Sequence, residues 1–303
     1  DIEFFINRRD YPQMKVNSTE PYNHIWGSKH HPLVSHNEDK YAPILSGSSN
    51  ETYADIPFPT YEDWARAVYQ KTGLVFPNAC REYPDIKSIP WNKKIEKAVF
   101  RGATTGSGVT AATNQRLKAL DMSYQHSNVL DVGITKWNLR PRKLEDSTYL
   151  QTIERQDYPK ANRLSLEDQS RYKYILTLEG HVAAYRLSYE LSAGSVVLLA
   201  ASQWQMWYYP FLKEYEHYVP VKEDLSDLLS QIDWCKSNDA KCAQIANNAR
   251  IFYNKYLDTE GILDFLQKEM WELSARTKPY AYLPDLTTWA IENEESQLLE
   301  ELR

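Results

Sequence analysis

The segment with the clearest chemical signature runs from Tyr174 to Leu199. An apolar run, Tyr174-Ile175-Leu176-Thr177-Leu178, leads through Glu179-Gly180-His181 into Val182-Ala183-Ala184-Tyr185-Arg186-Leu187, and after Gly194 a second apolar run, Ser195 to Leu199, follows. The pattern predicts a βαβ unit with its helix over residues 183–193. A helix start at the carboxyl end of a strand offers backbone N–H groups and partial positive charge, the usual seat of a phosphate or diphosphate. Arg186 falls in the first turn, where the helix dipole disfavours a cation by some tenths of a kcal/mol up to about 1 kcal/mol. A bound anion would reverse that sign; a neighbouring carboxylate paired with a surface arginine would do the same.

A second phosphate candidate is Phe100-Arg101-Gly102-Ala103-Thr104-Thr105-Gly106-Ser107-Gly108, a glycine- and hydroxyl-rich loop ahead of a helix carrying Arg116. Such loops let N–H groups approach phosphate oxygens closely. The loop lacks the Lys-Ser/Thr ending of a P-loop and the spacing of a dinucleotide fingerprint, which counts against an ATPase or a dehydrogenase. His30-His31 and His36 stand in an aperiodic stretch without metal-ligand spacing, and Asp224-Leu-Ser-Asp227 opens an amphipathic helix where acidic residues suit the dipole. No Gly-x-Ser-x-Gly elbow occurs, so a serine hydrolase is set aside. The facing carboxylates of a glycoside hydrolase are neither supplied nor excluded by 41 acidic residues.

These segments need a scaffold. Ile2 to Asn7 reads as a strand ended by the charged turn Arg8-Arg9-Asp10-Tyr11-Pro12, which puts Asp10 at a strand's C-terminal end. Residues 14–60 look like long loops able to line a cleft. Thr60-Tyr61-Glu62-Asp63 is a capping-box pattern opening a helix that stops at Gly73. From residue 94 short strands alternate with helices, the pattern of a parallel sheet covered on its faces: strands at 98–101, 128–132, 174–178 and 195–200, helices at 111–120 and 183–193. Amphipathic helices are expected over 204–214, 224–237, 239–256 and 259–275, with one more near 293–303.

A length of 303 residues allows two domains. The formal charge of −6 offers no global basic field, which argues against nucleic acid as a principal partner. The 22 Tyr and 9 Trp supply flat faces suited to sugar rings as well as to ordinary cores. Three cysteines, Cys80, Cys235 and Cys242, make no disulfide framework and no metal motif. Cys235 and Cys242 each fall on an apolar helical stripe and are expected simply to pack. No apolar run is long enough for a transmembrane segment. Few cysteines and no visible leader favour a soluble, cytoplasmic setting; a secretory location stays open if a leader was removed ahead of Asp1.

Several blocks together resemble one family, the capsule-associated and lipopolysaccharide-modifying glycosyltransferases that include the Rumi-type protein O-glucosyltransferases. They are Asn7-Arg8-Arg9-Asp10-Tyr11-Pro12-Gln13, Phe100-Arg101-Gly102, Tyr172-Lys173-Tyr174 leading into Glu179-Gly180 and Arg186, and His217-Tyr218-Val219-Pro220-Val221-Lys222 with Asp224-Leu225-Ser226. In family order they cover roughly residues 4–257. The resemblance implies an α/β fold of GT-B type, two Rossmann-like domains facing across a cleft, and an inverting transfer that needs no metal and no cofactor. It implies that Asp10 is the catalytic base and that Arg116 and Arg186 hold the donor diphosphate. Gly102, Thr104 and Thr105, the start Gly180-His181-Val182-Ala183-Ala184, and Asp131 with Thr135 fall to the donor side. Ser35, Asp55 and Pro57 fall to the cleft. Three positions depart from the pattern: Ala103 replaces a common serine, Leu117 replaces the Asp that usually follows this arginine, and the loop before Arg116 is long.

The expected domains are residues 1–93, completed by 259–303, on the acceptor side, and residues 94–258 on the donor side. The expected partners are a UDP-sugar donor, UDP-glucose or UDP-xylose, and a hydroxyl of a glycan or protein. The rivals are an inactive carbohydrate-binding protein of the same fold, a glycoside hydrolase and a metal-dependent transferase.

Overall fold

The computed structural model describes residues 2, 4–16, 43–76, 89–106, 108–139, 142–143, 149–150, 153–155 and 157–276. Ser35, His30, His31, His36, Cys80 and the helix expected near 293–303 lie outside these residues. Two compact units divide the chain, one of residues 1–59 with 263–303 and one of residues 60–262.

In the first unit, β1 (Phe5–Ile6), β2 (Ile44–Ser46) and β3 (Ile56–Pro57) form a parallel sheet in that order. Met14 and Ile44 are buried at its centre, with Phe5 and Ala54 packed against them. The second unit opens with α1 (Tyr61–Thr72). Thr60 accepts from the Asp63 N–H while the Asp63 carboxylate accepts from the Thr60 N–H, and Gly73 ends the helix at φ 71°, a conformation glycine adopts without penalty. The division falls at Pro59 rather than at the 93/94 boundary expected, because α1 packs within the second unit. Buried Arg66 donates to Ser188 Oγ at 3.2 Å and lies 4.5 Å from the centroid of the Tyr189 ring.

The second unit continues through β4 (Ile95–Ala103), α2 (Gln115–Gln125) and β5 (Leu130–Lys136). A two-residue antiparallel pair, β6 (Arg142–Lys143) and β7 (Tyr149–Leu150), precedes the one-turn α3 (Leu166–Gln169). Then come β8 (Tyr172–Thr177), α4 (Leu187–Glu190), β9 (Val196–Ala200) and β10 (Val219–Val221). The helices α5 (Leu228–Ser237) and α6 (Asp239–Tyr256) follow, and α7 (Thr259–Arg276) begins in the second unit and belongs to the first from Leu263 on. The five-stranded sheet is parallel throughout, in the order β10-β9-β8-β4-β5. With parallel sheets in both units, the fold is α/β.

One face of that sheet presents Ala98, Phe100, Tyr174, Leu176 and Leu198 to residues of α2, α5 and α6; the other presents Val99 and Ile175 to Leu166 and Ala193. Being covered on both sides explains why these strands read as continuous apolar runs rather than alternating ones. Each fully buried large side chain contributes about 1.5–3 kcal/mol.

Four expected helices are corrected, one of them that over 224–237, which begins at Leu228 because Leu225 takes a left-handed φ of 57°. The helix expected over 111–120 begins at Gln115, because Asn114 caps it, accepting from the N–H groups of Arg116 at 3.0 Å and Leu117 at 3.3 Å. The helix expected over 204–214 is absent: Trp204, Met206, Trp207 and Tyr208 are buried in turns, and Pro210, which lacks an N–H, sits in a single 3-10 turn. The helix expected over 183–193 shrinks to the four residues of α4, and residues 180–184 form a bend.

Candidate active site

Chain order fixes where a ligand can sit on the second unit. After β4 the chain moves to one side to form β5, and later returns to form β8 on the other side. The carboxyl ends of β4 and β8 therefore flank a topological switch point, the crevice where open α/β sheets bind ligands. The Gly102–Thr105 loop leaves one of these strands and the Glu179–Ala184 bend leaves the other.

Arg116 ties the two together. It is buried, and its Nε donates to the Glu179 carbonyl at 2.8 Å, its Nη1 to the Ala103 carbonyl at 2.9 Å and to the Thr105 hydroxyl, and its Nη2 to the Leu178 carbonyl at 3.1 Å. A guanidinium has five N–H donors. The one left, on Nη2, lies beside Gly180, where a Cβ would approach Nη2 to 3.3 Å. Arg186 sits at the N-cap of α4, half-buried, and donates from Nη1 to the Arg101 carbonyl at 2.6 Å. Both arginines lie over the Phe100 ring, Arg116 at 5.4 Å and Arg186 at 5.2 Å from its centroid. Cation–π attraction accounts for the ring's place beneath them. Burial, with the nearby charge of Arg186, lowers the Arg116 guanidinium to about 9. Neither arginine is ion-paired with a carboxylate among the described residues.

Although α4 is too short to present a helix terminus, the bend before it supplies N–H groups by another route. Gly180 N–H donates to the Val182 carbonyl at 3.1 Å, while the N–H groups of Val182, Ala183 and Ala184 donate to no described residue. Thr104, fully buried, accepts the Asn138 N–H at 2.7 Å, and the Asn138 side chain meets His181 Nε2 at 3.0 Å. Thr135 is the extra residue of a bulge, since Gly102 pairs with Ile134 and Ala103 with Lys136. Bulges commonly re-aim a side chain at the rim of a site.

Asp131 does not join this group. It pairs with Val99 well down the sheet, and its carboxylate accepts from Arg101 Nη2 at 2.7 Å and from the Tyr172 hydroxyl at 2.5 Å. Of the two positions expected to depart from the family pattern, Ala103 offers Arg116 only its backbone carbonyl, which any residue would supply, and Leu117 is buried in the core.

Sequence reasoning assigned no role at the site to Phe100, Asn114 or Glu179, although Phe100 and Glu179 stand within the blocks that carry the resemblance. Asn114 carried a signal, being a capping residue type directly ahead of Gln115. For Glu179 the block gave no sign of its environment: burial raises its carboxyl to about 7, with Glu223 adding to the rise, while hydrogen bonds with Ser202 and Trp204 and the charge of Arg116 oppose it. Those neighbours assemble only in the fold.

In the first unit Asp10 is exposed on the loop between β1 and Met14. Asp55 and Pro57 are brought to the same small sheet: Pro57 pairs with Ser46, and the buried Asp55 carboxylate accepts from the N–H groups of Gln13 and Met14, each at 2.7 Å. Among the described residues no group of three His, Cys, Asp or Glu side chains could hold a metal ion, and no helix is long and apolar enough to cross a membrane.

A family model, glycosyl transferase family 90, matches residues 1–280. The chain belongs to that family. Among its relatives, this family 90 chain is 45% identical over 314 residues to protein 179R of Invertebrate iridescent virus 6, covering 90% of this chain and 26% of that protein. It is 29% identical to Protein O-glucosyltransferase 3 of Mus musculus, covering 83% of this chain and 42% of the relative. It is 28% identical to Protein O-glucosyltransferase 1 of Rattus norvegicus, covering 90% and 62%. The family 90 chain thus spans about a quarter of the length of the viral relative and less than two thirds of the mammalian ones. Among solved structures, TarM aligns at a TM-score of 0.41 and 15% identity over 79% of this chain and 52% of TarM. HepE of Anabaena in complex with UDP aligns at 0.38 and 11% over 78% and 64%.

Proposed function

We propose that this family 90 glycosyltransferase moves glucose or xylose from a UDP-sugar to a hydroxyl of a glycan or protein, with inversion at the anomeric carbon and without a metal. The observation that carries the donor reading is the pair of arginines over Phe100 at the switch point, neither ion-paired, beside three N–H groups that donate to no described residue. Two neighbouring cations repel, and a dianionic diphosphate would relieve that repulsion while accepting from the N–H groups. Arg186 is the direct donor in this reading. Arg116, most of whose N–H groups are committed to carbonyls, shapes the loop and adds its charge.

Asp10 takes the proton of the acceptor hydroxyl as the oxygen forms its bond to the anomeric carbon and the anomeric carbon–phosphate oxygen bond breaks on the opposite face. The electron pair leaves with UDP, whose growing charge the arginines stabilise more strongly in the transition state than in the bound donor.

The test is UDP release from a panel of UDP-sugars in chelator, with and without a hydroxyl acceptor, for wild type and Asp10→Asn. The expected result is acceptor-dependent release from one donor by wild type and a loss of about 100-fold or more in Asp10→Asn. Full turnover in Asp10→Asn would remove Asp10 as base. No release and no UDP binding would favour a carbohydrate-binding protein that kept the fold.

A further inference from the structure

The loop that carries Asp10 is held far more tightly than an exposed loop needs for folding alone. It enters from β1 with the Asn7 N–H donating to the Leu45 carbonyl at 2.8 Å, and leaves at buried Met14, whose carbonyl accepts from the Ala54 N–H at 2.8 Å. Between those points three side chains form one hydrogen-bonded chain. The Asp55 carboxylate accepts from Gln13 N–H and Met14 N–H and, at 2.5 Å, from the Ser46 hydroxyl. That hydroxyl in turn accepts from Asn7 Nδ2 at 3.1 Å. Asn7 Nδ2 also donates to the Tyr11 carbonyl at 2.7 Å, and Asn7 Oδ1 accepts from the Arg9 N–H at 2.8 Å. Gln13 Nε2 closes the loop on the same Tyr11 carbonyl at 2.8 Å.

Asn7 therefore grips the residues on both sides of Asp10, Arg9 and Tyr11, and is itself anchored through Ser46 to Asp55, 4% exposed on the sheet beneath. Asp55 was expected to line the cleft. Its acceptor capacity is instead spent on the chain's own N–H and O–H groups.

We propose that Asn7, Ser46 and Asp55 are positioning residues that fix the direction of the Asp10 carboxylate for proton removal from the acceptor. The inference rests on the reading of Asp10 as base. A base gains its rate advantage from a fixed geometry, and displacement of a reacting group by about 1 Å can cost about 100-fold. Cutting the chain at Asn7 leaves the Asp55 anchor with Gln13, Met14 and Ser46 and releases the grip on Arg9 and Tyr11 together with one donor to Ser46; Asp55→Asn puts an NH2 group where one carboxylate oxygen accepts, facing the N–H of Gln13 or of Met14.

The experiment measures kcat, donor KM and UDP affinity for wild type, Asn7→Ala, Asp55→Asn and Asp10→Asn, with melting temperature as the folding control. Asn7→Ala is expected to lower kcat by about 10-fold or more while donor KM and UDP affinity stay within about twofold, the split that a displaced base gives and a loosened fold does not. Asp55→Asn is expected to act in the same direction; should it fail to fold, Asn7→Ala decides alone. A kcat within about twofold of wild type in Asn7→Ala, or a parallel loss of UDP affinity, overturns the positioning role. If Asp10→Asn is slow and Asn7→Ala is not, only this proposal falls. If Asp10→Asn turns over normally, the base reading falls and takes the proposal with it.

Discussion

The donor-side crevice and the Asp10 loop solve one problem with opposite charges. In the crevice a buried cation, Arg116, gathers the carbonyls of Ala103, Leu178 and Glu179, while a second arginine, Arg186, stays half-buried. In the Asp10 loop a buried anion, Asp55, gathers the N–H groups of Gln13 and Met14, while a second aspartate, Asp10, stays exposed. Each buried charge costs desolvation, seen in the lowering of Arg116 to about 9 and in the upward push on Asp55 despite its three hydrogen bonds. In both places the buried ion organises backbone, and its like-charged neighbour stays open to solvent, where the proposed function gives it a role.

The comparison is broken most forcefully at Arg116. Arg116→Ala leaves three carbonyls and the Thr105 hydroxyl without their donor, and should lower unfolding free energy by about 3 kcal/mol or more. A denaturant midpoint equal to that of Arg186→Ala would show that Arg116 is no more structural than its neighbour. Asn114→Ala tests the same loop more gently: loss of the cap of α2 should cost about 1 kcal/mol by the same titration. An unchanged midpoint would mean that α2 starts elsewhere in solution.

A pH dependence at Glu179 tests the same crevice without removing a contact of Arg116. Its folded-state value of about 7 stands above the usual 4.5, so the native state holds this proton more tightly than the unfolded chain. The resulting stability is fully present below about 4.5 and is lost as pH rises through about 7. The melting temperature of wild type minus that of Glu179→Gln should therefore fall across that window. A difference that stays flat would place the Glu179 carboxyl in a wetter setting than the fold gives it.

Much of the scaffold was legible because local chemistry and tertiary packing agree. The Thr60 capping box and Gly73 bracket α1 as expected, and the expected strands at 98–101, 174–178 and 195–200 are all present as β4, β8 and β9, because strands buried on both faces announce themselves as apolar runs. The failures have a common cause. Residues 183–193 carry apolar spacing that suits a helix, yet Val182, Ala183 and Ala184 are buried in a bend, so burial rather than helical periodicity set the pattern. Residues 204–214 fail likewise, with Trp204, Trp207 and Tyr208 buried outside any α-helix. At the site, residue types and position pointed to Arg186, and the family resemblance added Arg116 and Asp10, whereas the hydrogen bonds that hold buried Arg116 and Asp55 span 63 and 42 positions of chain, from Arg116 to Glu179 and from Gln13 to Asp55. Asp131 shows the converse: the resemblance put it on the donor side, and in the fold its carboxylate accepts from Arg101 and Tyr172.

The central claim, that donor binding belongs to the arginine crevice and proton transfer to the Asp10 loop, is tested most directly by calorimetric titration of UDP into wild type, Arg186→Ala and Asp10→Asn. The account predicts that Arg186→Ala weakens UDP by about 2 kcal/mol, close to 30-fold, and that Asp10→Asn binds it as wild type does. Equal affinity in wild type and Arg186→Ala, or loss of affinity in Asp10→Asn alone, would contradict it.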